Sequence, residues 1–174
     1  MKRANTDDSF KEENVEKTKK NKKQRKLLTI LIGIMLIIDQ ITKIFVYNKG
    51  FYIENSLNIE TNNGYYILMS IIIIIMLIRY ISNENTFIQF DTKLILSFAI
   101  AGATGNMIDR IWHEKVINFI KLGNSFELNF AYIYIVIAWI GMAIILTKNS
   151  MRFINERKLK KEKLDEFPKN NNKK

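Results

Sequence analysis

Cysteine is absent from this chain of 174 residues. That excludes disulfides, zinc–thiolate centres and a cysteine nucleophile. His113 is the one histidine, so a histidine-rich metal site is excluded and a serine–histidine scheme would rest on His113 as sole base. Proline occurs once, at Pro168, and glycine seven times. Long helices are therefore free of their usual interior breaker. Acidic residues are outnumbered, with 27 Lys and Arg against 17 Asp and Glu, a formal charge of +10. In a soluble protein such a balance points first to nucleic acid. Here the basic residues flank apolar spans, which favours a membrane surface over nucleic acid as partner.

What is abundant is hydrophobic, at 48% of the chain, and it is concentrated in residues 27–147. Apolar runs occupy about 27–47, 65–81 (with "SIIIIIMLI"), 94–111 and 129–146. Each approaches the ~20 residues with which a helix crosses about 30 Å of hydrocarbon. A soluble bundle of buried helices is the competing reading, and four such runs so close together disfavour it. The expected fold is an all-α integral membrane protein with four transmembrane helices. The stretch "GFYIENSLNIETNNGYY" alternates weakly and has turn signals at Asn55-Ser56 and Asn63-Gly64. It predicts a small extracytoplasmic β element between helices 1 and 2.

Lys and Arg set the orientation. "KTKKNKKQRK" abuts the first span, "RKLKKEK" follows the fourth, and Arg79 and Lys93 flank the connection between the second and third. The loops 48–64 and 112–128 are poorer in basic residues. Both termini are thus expected in the cytoplasm of a multi-pass protein of the bacterial cytoplasmic membrane. A signal peptide fits the first span badly, because the apolar run is too long and no small-residue cleavage site follows. Residues 1–26 read as a basic, disordered cytoplasmic arm, 27–147 as the membrane domain, and 148–174 as a basic cytoplasmic tail. The tail is expected to prolong span four as a short helix that breaks near Pro168.

Ionisable residues inside a span are rare and costly, so each is a functional hypothesis. Asp39 lies 13 residues beyond Lys26, roughly 20 Å up a helix of ~1.5 Å rise per residue. Lys43 is one turn further on the same face. An intrahelical Asp39–Lys43 pair at i,i+4, with Lys43 snorkelling outward, is the simple explanation. It does not explain why an acid is there. Asn106 and Asp109 share a face at the outer end of span three, whereas Arg110 points about 100° away. Asn129 and Tyr132 share a face in the first turn of span four. A site between helices at the outer-leaflet level accounts for Asp39, Asn106, Asp109 and Asn129 together. The glycines and alanines of "AIAGATG" would let span three approach its neighbours closely.

These blocks together resemble the lipoprotein signal peptidases, also called signal peptidase II. "DQITK" at 39–43 resembles that family's first-span Asp-Gln motif. "NNGYY" at 62–66, beginning with Asn62, resembles its Asn-Thr-Gly-Ala-Ala stretch. "GATGNMIDR" at 102–110 resembles its Gly-Gly-Ala-x-Gly-Asn-x-x-Asp-Arg motif. "VINFI" at 116–120 and "LNFAYIYI" at 128–135 stand where it has Val-Val-Asp-Phe-Ile and Phe-Asn-x-Ala-Asp-Ser. The resemblance implies a four-span bacterial aspartic endopeptidase that cuts prolipoprotein signal peptides before a lipid-modified cysteine. It implies membrane lipids and a prolipoprotein or other lipidated peptide as partners, with no cofactor and no metal. It also implies a catalytic pair of aspartates, at positions that here hold Asn118 and Tyr132. Asp39, Lys43, Asn62, Asn106, Asp109, Arg110 and Asn129 would form the surrounding polar shell.

Both departures fall on the residues that would do the chemistry. An aspartic dyad needs one carboxylate to take a proton from water and a partner acid to protonate the carbonyl. Asn118 cannot be the base, and Tyr132 offers a phenol, which can donate a hydrogen bond, in place of a carboxyl group. Loss of a general base costs roughly 10² to 10⁴ in rate, and loss from a coupled unit about 10⁶. The expectation is a pseudoenzyme that binds a lipidated signal-peptide helix without cleaving it. The alternative is an active peptidase that uses a non-standard acid pair such as Asp39 and Asp109.

Overall fold

The computed structural model describes residues 4–53, 63–82, 89–123 and 126–166, with side chains for 15–53, 64–82, 89–123 and 126–163. Its elements are α1 (Ala4–Lys49), α2 (Asn63–Ser82), α3 (Phe90–His113), β1 (Ile120–Leu122), β2 (Phe126–Leu128) and α4 (Phe130–Glu166). Among the described residues, four helices are long and apolar enough to cross a membrane. The protein is an all-α integral membrane protein with a small two-stranded sheet. The chain divides into two compact units, Met1–Trp139 and Ile140–Lys174. The second consists, among the described residues, of the continuing part of α4, on which Ala143, Ile144, Thr147, Lys148 and Met151 line a shallow surface. Every candidate site residue belongs to the first.

Each apolar run lies within one helix, and the helices outrun the spans. Residues 4–26, expected as a disordered arm, continue α1 as helix. The reason is local: the segment holds neither Gly nor Pro, is rich in Lys and Glu, and abuts an apolar helix that removes the cost of nucleation. Residues 148–166 prolong α4, as expected of a segment that ends before Pro168.

Helix directions emerge from contacts at matching heights. Asp39 lies at the level of Gly105, and Tyr47 packs on His113 with ring centroids 4.5 Å apart, so α1 and α3 run parallel. Arg110, near the end of α3, lies 4.7 Å from the ring of Tyr66, near the start of α2, so these two run antiparallel. The Phe98–Tyr134 and Gly102–Ala131 contacts make α4 antiparallel to α3.

Two glycines set the helix spacing. A Cβ on Gly102 would collide with the Ala131 carbonyl oxygen and come within 2.6 Å of Ile135 Cγ1. A Cβ on Gly105 would lie 2.6 Å from Asp39 Oδ2. The small-residue stretch thus lets α3 approach α4 and the acidic side chain of α1. In lipid, where apolar burial between helices supplies little, such close packing and interhelical polar contacts do the joining. α2 is the extreme case: only 6% of its most apolar window is buried within the protein.

The described sheet lies between α3 and α4. Glu114, at φ 56°, ends α3 in the left-handed region and turns the chain back. Val116, Ile117 and Asn118 then become buried. Beyond them β1 and β2 pair antiparallel in the register Ile120↔Leu128, Lys121↔Glu127 and Leu122↔Phe126, with Gly123 at φ 65° starting the turn. The β element expected between helices 1 and 2 is described only at its first edge. There Ile53 donates its N–H to the Asn118 carbonyl at 2.8 Å, an isolated antiparallel bridge. Its remainder, residues 54–62 with Asn62, lies outside the described residues.

Candidate functional site

Lys43 is the centre of the site. It and both acids beside it, Asp39 and Asp109, are 1% exposed. Its ammonium lies 2.7 Å from Asp39 Oδ2 and 2.8 Å from Asp109 Oδ2, and donates to Asn106 Oδ1 at 3.2 Å. An ammonium has three protons, and here each has an acceptor. Asp39 reaches Lys43 because the two are one turn apart on α1. Asp109 and Asn106 reach it because they are i,i+3 on the face of α3 that packs against α1.

The carboxylates are tied down further. Gln40 Nε2 lies within hydrogen-bond distance of Asp39 Oδ2 (3.2 Å), Asp109 Oδ1 (3.3 Å) and the Gly105 carbonyl (3.2 Å). Asp39 Oδ1 accepts the Ala131 N–H at 2.9 Å, and Asp109 Oδ2 accepts the Ile117 N–H at 3.2 Å. Every oxygen of the two acids thus has a donor within hydrogen-bond distance.

Asn129 carries the network to α4. Its Oδ1 accepts the Tyr132 N–H at 2.8 Å, three residues on, which is the geometry of a helix N-cap. The neighbouring donor, the Ala131 N–H, is taken by Asp39 from another helix. A carboxylate at the positive end of α4 is electrostatically favoured. Asn129 Nδ2 lies within hydrogen-bond distance of Asn106 Oδ1 (3.0 Å), the Ile117 carbonyl (3.0 Å) and Asn118 Oδ1 (3.1 Å). Among the described residues no buried side-chain nitrogen or oxygen lacks a partner. In a low-dielectric interior that completeness is what makes two acids and a cation tolerable.

Asp39, Lys43, Asn106, Asp109, Asn118 and Asn129 therefore meet. Arg110 leaves the face of Asp109 and lies over the Tyr66 ring. Tyr132 enters through its backbone N–H, and its residue is half-buried. His113 is the last residue of α3 and packs on Tyr47. Gln40 entered the sequence reading only as part of the Asp-Gln motif, without a role, and the backbone groups of Ile117 and Ala131 not at all. Gln40 is signalled by its place beside Asp39 in an apolar span, but the backbone donors have no side-chain signature at all.

A sequence model of the signal peptidase (SPase) II family matches residues 45–148. The chain belongs to the signal peptidase II family. A lipoprotein signal peptidase of Staphylococcus haemolyticus is 33% identical over 116 residues, covering 53% of this chain and 71% of that protein. One from Staphylococcus aureus is 30% identical over 138 residues, covering 68% and 83%. Two solved structures, each a bacterial membrane enzyme studied in meso, share the fold. At 2.3 Å resolution the TM-score is 0.59 with 23% identity, over 71% of this chain and 89% of that one. At 1.9 Å resolution it is 0.57 with 22% identity, over 69% and 92%. Signal peptidase II membership makes this a bacterial membrane protein.

Proposed function

We propose that this signal peptidase II family member is a pseudoenzyme of the bacterial cytoplasmic membrane that holds a lipidated signal-peptide helix, of a prolipoprotein or another acylated peptide, without cleaving it. Residues 27–147 form the membrane domain, and the two basic ends lie in the cytoplasm. The dyad positions are Asn118 and Tyr132, with Asp39, Lys43, Asn62, Asn106, Asp109, Arg110 and Asn129 as the polar shell. The observation that carries this reading is the state of the acids. Asn118 spends its side-chain oxygen on Asn129. Asp39 and Asp109 have Lys43 between them, at 2.7 and 2.8 Å.

The second reading, peptidase activity from Asp39 and Asp109, is favoured by one fact. The two carboxylates share an ammonium and a Gln40 amide, so they stand close together. What lies between them is nevertheless a cation and not a shared proton. A working dyad keeps one acid protonated because two like charges resist ionising together. Lys43 removes that repulsion. It also fills the space where an attacking water would be activated.

The test is co-purification. The chain is expressed with a tagged prolipoprotein in cells depleted of their own peptidase, and both are extracted in mild detergent. The expected result is a complex carrying full-length, lipidated precursor. Absence of any complex would remove the binding function, and a complex carrying only cleaved product would favour the second reading.

A further inference from the structure

The stripe of α3 that carries Asn106 and Asp109 continues to the helix's other end through Gly105, Ala101, Ile100, Ser97 and Leu96 and finishes at Lys93. Lys93 is 5% exposed. Unlike Lys43, its ammonium has no acceptor among the described residues. Its four-carbon stem is enclosed in that stripe, with the charged tip at its far end. A helical side chain leans toward its helix N-terminus, which places that tip at the first turn of α3. There the N-cap residue Gln89 makes no side-chain capping bond. Asp91 is in the same turn, but two residues rotate it about 200° from Lys93, onto the opposite, exposed face.

α2 supplies a second cation at this level. It packs antiparallel to α3, with its start beside the end of α3. Arg79 lies three residues before the end of α2, and Lys93 three residues after the start of α3. Each is therefore about one turn, ~5 Å, inside the same end of the helix pair. Above them the isoleucines at 71, 72, 73, 75 and 78 are exposed along α2. Two cations at headgroup depth beneath an open apolar helix face match a phosphate with acyl chains attached.

We propose that this end of the α2–α3 pair binds the headgroup phosphate of an anionic phospholipid, through Lys93 at the first turn of α3 with Arg79 as the outer cation. The site lies at the opposite end of α3 from Asn106 and Asp109, so it stands apart from the polar network around Lys43. It does not depend on which side of the membrane the termini occupy.

Native mass spectrometry of the delipidated full chain tests this, by titration with phosphatidylglycerol, phosphatidylcholine or inorganic phosphate. The basic tails attract anionic lipid in every variant, so the comparison between variants isolates the site. Tight retention of phosphatidylglycerol is expected, with affinity falling about fivefold in Lys93→Gln, the worth of one basic residue at an anionic surface. A smaller fall is expected in Arg79→Gln. Equal retention of phosphatidylcholine, or full competition by inorganic phosphate, would overturn the lipid assignment. Unchanged affinity in Lys93→Gln would overturn the site. Should Lys93→Gln not fold, Arg79→Gln, at an exposed position, decides the matter in the same way.

Discussion

Replacing Lys43 by methionine keeps most of the side-chain volume and removes the charge. In the native site this ammonium faces Asp39 at 2.7 Å, Asp109 at 2.8 Å and Asn106 at 3.2 Å, all within a region where both acids are 1% exposed. Without it, two enclosed carboxylates face each other with only the Gln40 amide between them. Removing one partner of a buried charge pair costs about 3–5 kcal/mol, because the remaining charge stays uncompensated. For a chain of this length each kcal/mol corresponds to roughly 2–4 °C, so the melting point should fall on the order of 10 °C. The assay is heat-induced loss of the monodisperse peak in detergent. Lys43→Met combined with Asp109→Asn removes the repulsion along with the cation and should recover at least half of the loss. A fall of only about 1 kcal/mol in the single variant would refute the reasoning. So would a double variant as unstable as the single one, since the cost would then be packing and not charge.

Neighbouring residues give further expectations. Gly105→Ala pushes a methyl against Asp39 Oδ2, 2.6 Å from the ideal Cβ position, and should cost about 1–3 kcal/mol in the same melting assay. Gly102→Ala should be worse, because its obstacle is the α4 backbone at Ala131. Asn129→Ala loses the α4 cap and leaves Asn106, Asn118 and Ile117 without their shared donor. It should exceed the ~1 kcal/mol of an ordinary cap, read as lost thermal stability. The paired change Asn118→Asp and Tyr132→Asp should bring measurable prolipoprotein cleavage. A well-folded but inert double variant would mean that the groove has diverged along with the dyad.

The four spans were legible because hydropathy and length determine them almost alone. Asp39 and Lys43 were legible as a pair because i,i+4 spacing is a local property of a helix. That Lys43 also holds Asp109, 66 positions away, depends on how α1 and α3 pack, and no local spacing encodes that. The close approach was hinted at by Gly102 and Gly105, whose partners only the structure names. The hairpin at 120–128 escaped notice because three-residue strands are too short for alternation to register. Helix at 4–26 was masked by charge: a polar composition reads as disorder unless a neighbouring apolar helix supplies the nucleus. Asn118 and Tyr132 stood out only against the family motif, since an amide and a phenol near a membrane surface are ordinary.

A pseudoenzyme on a peptidase scaffold should hold its precursor without cutting it. The most direct measurement reconstitutes the purified chain in bilayers with a diacylglyceryl-modified precursor peptide and monitors release of the signal peptide by mass spectrometry. The expected result is bound, intact precursor and no release above the protein-free control. Release by the native chain that disappears in Asp109→Asn would contradict it and would make Asp39 and Asp109 the working pair.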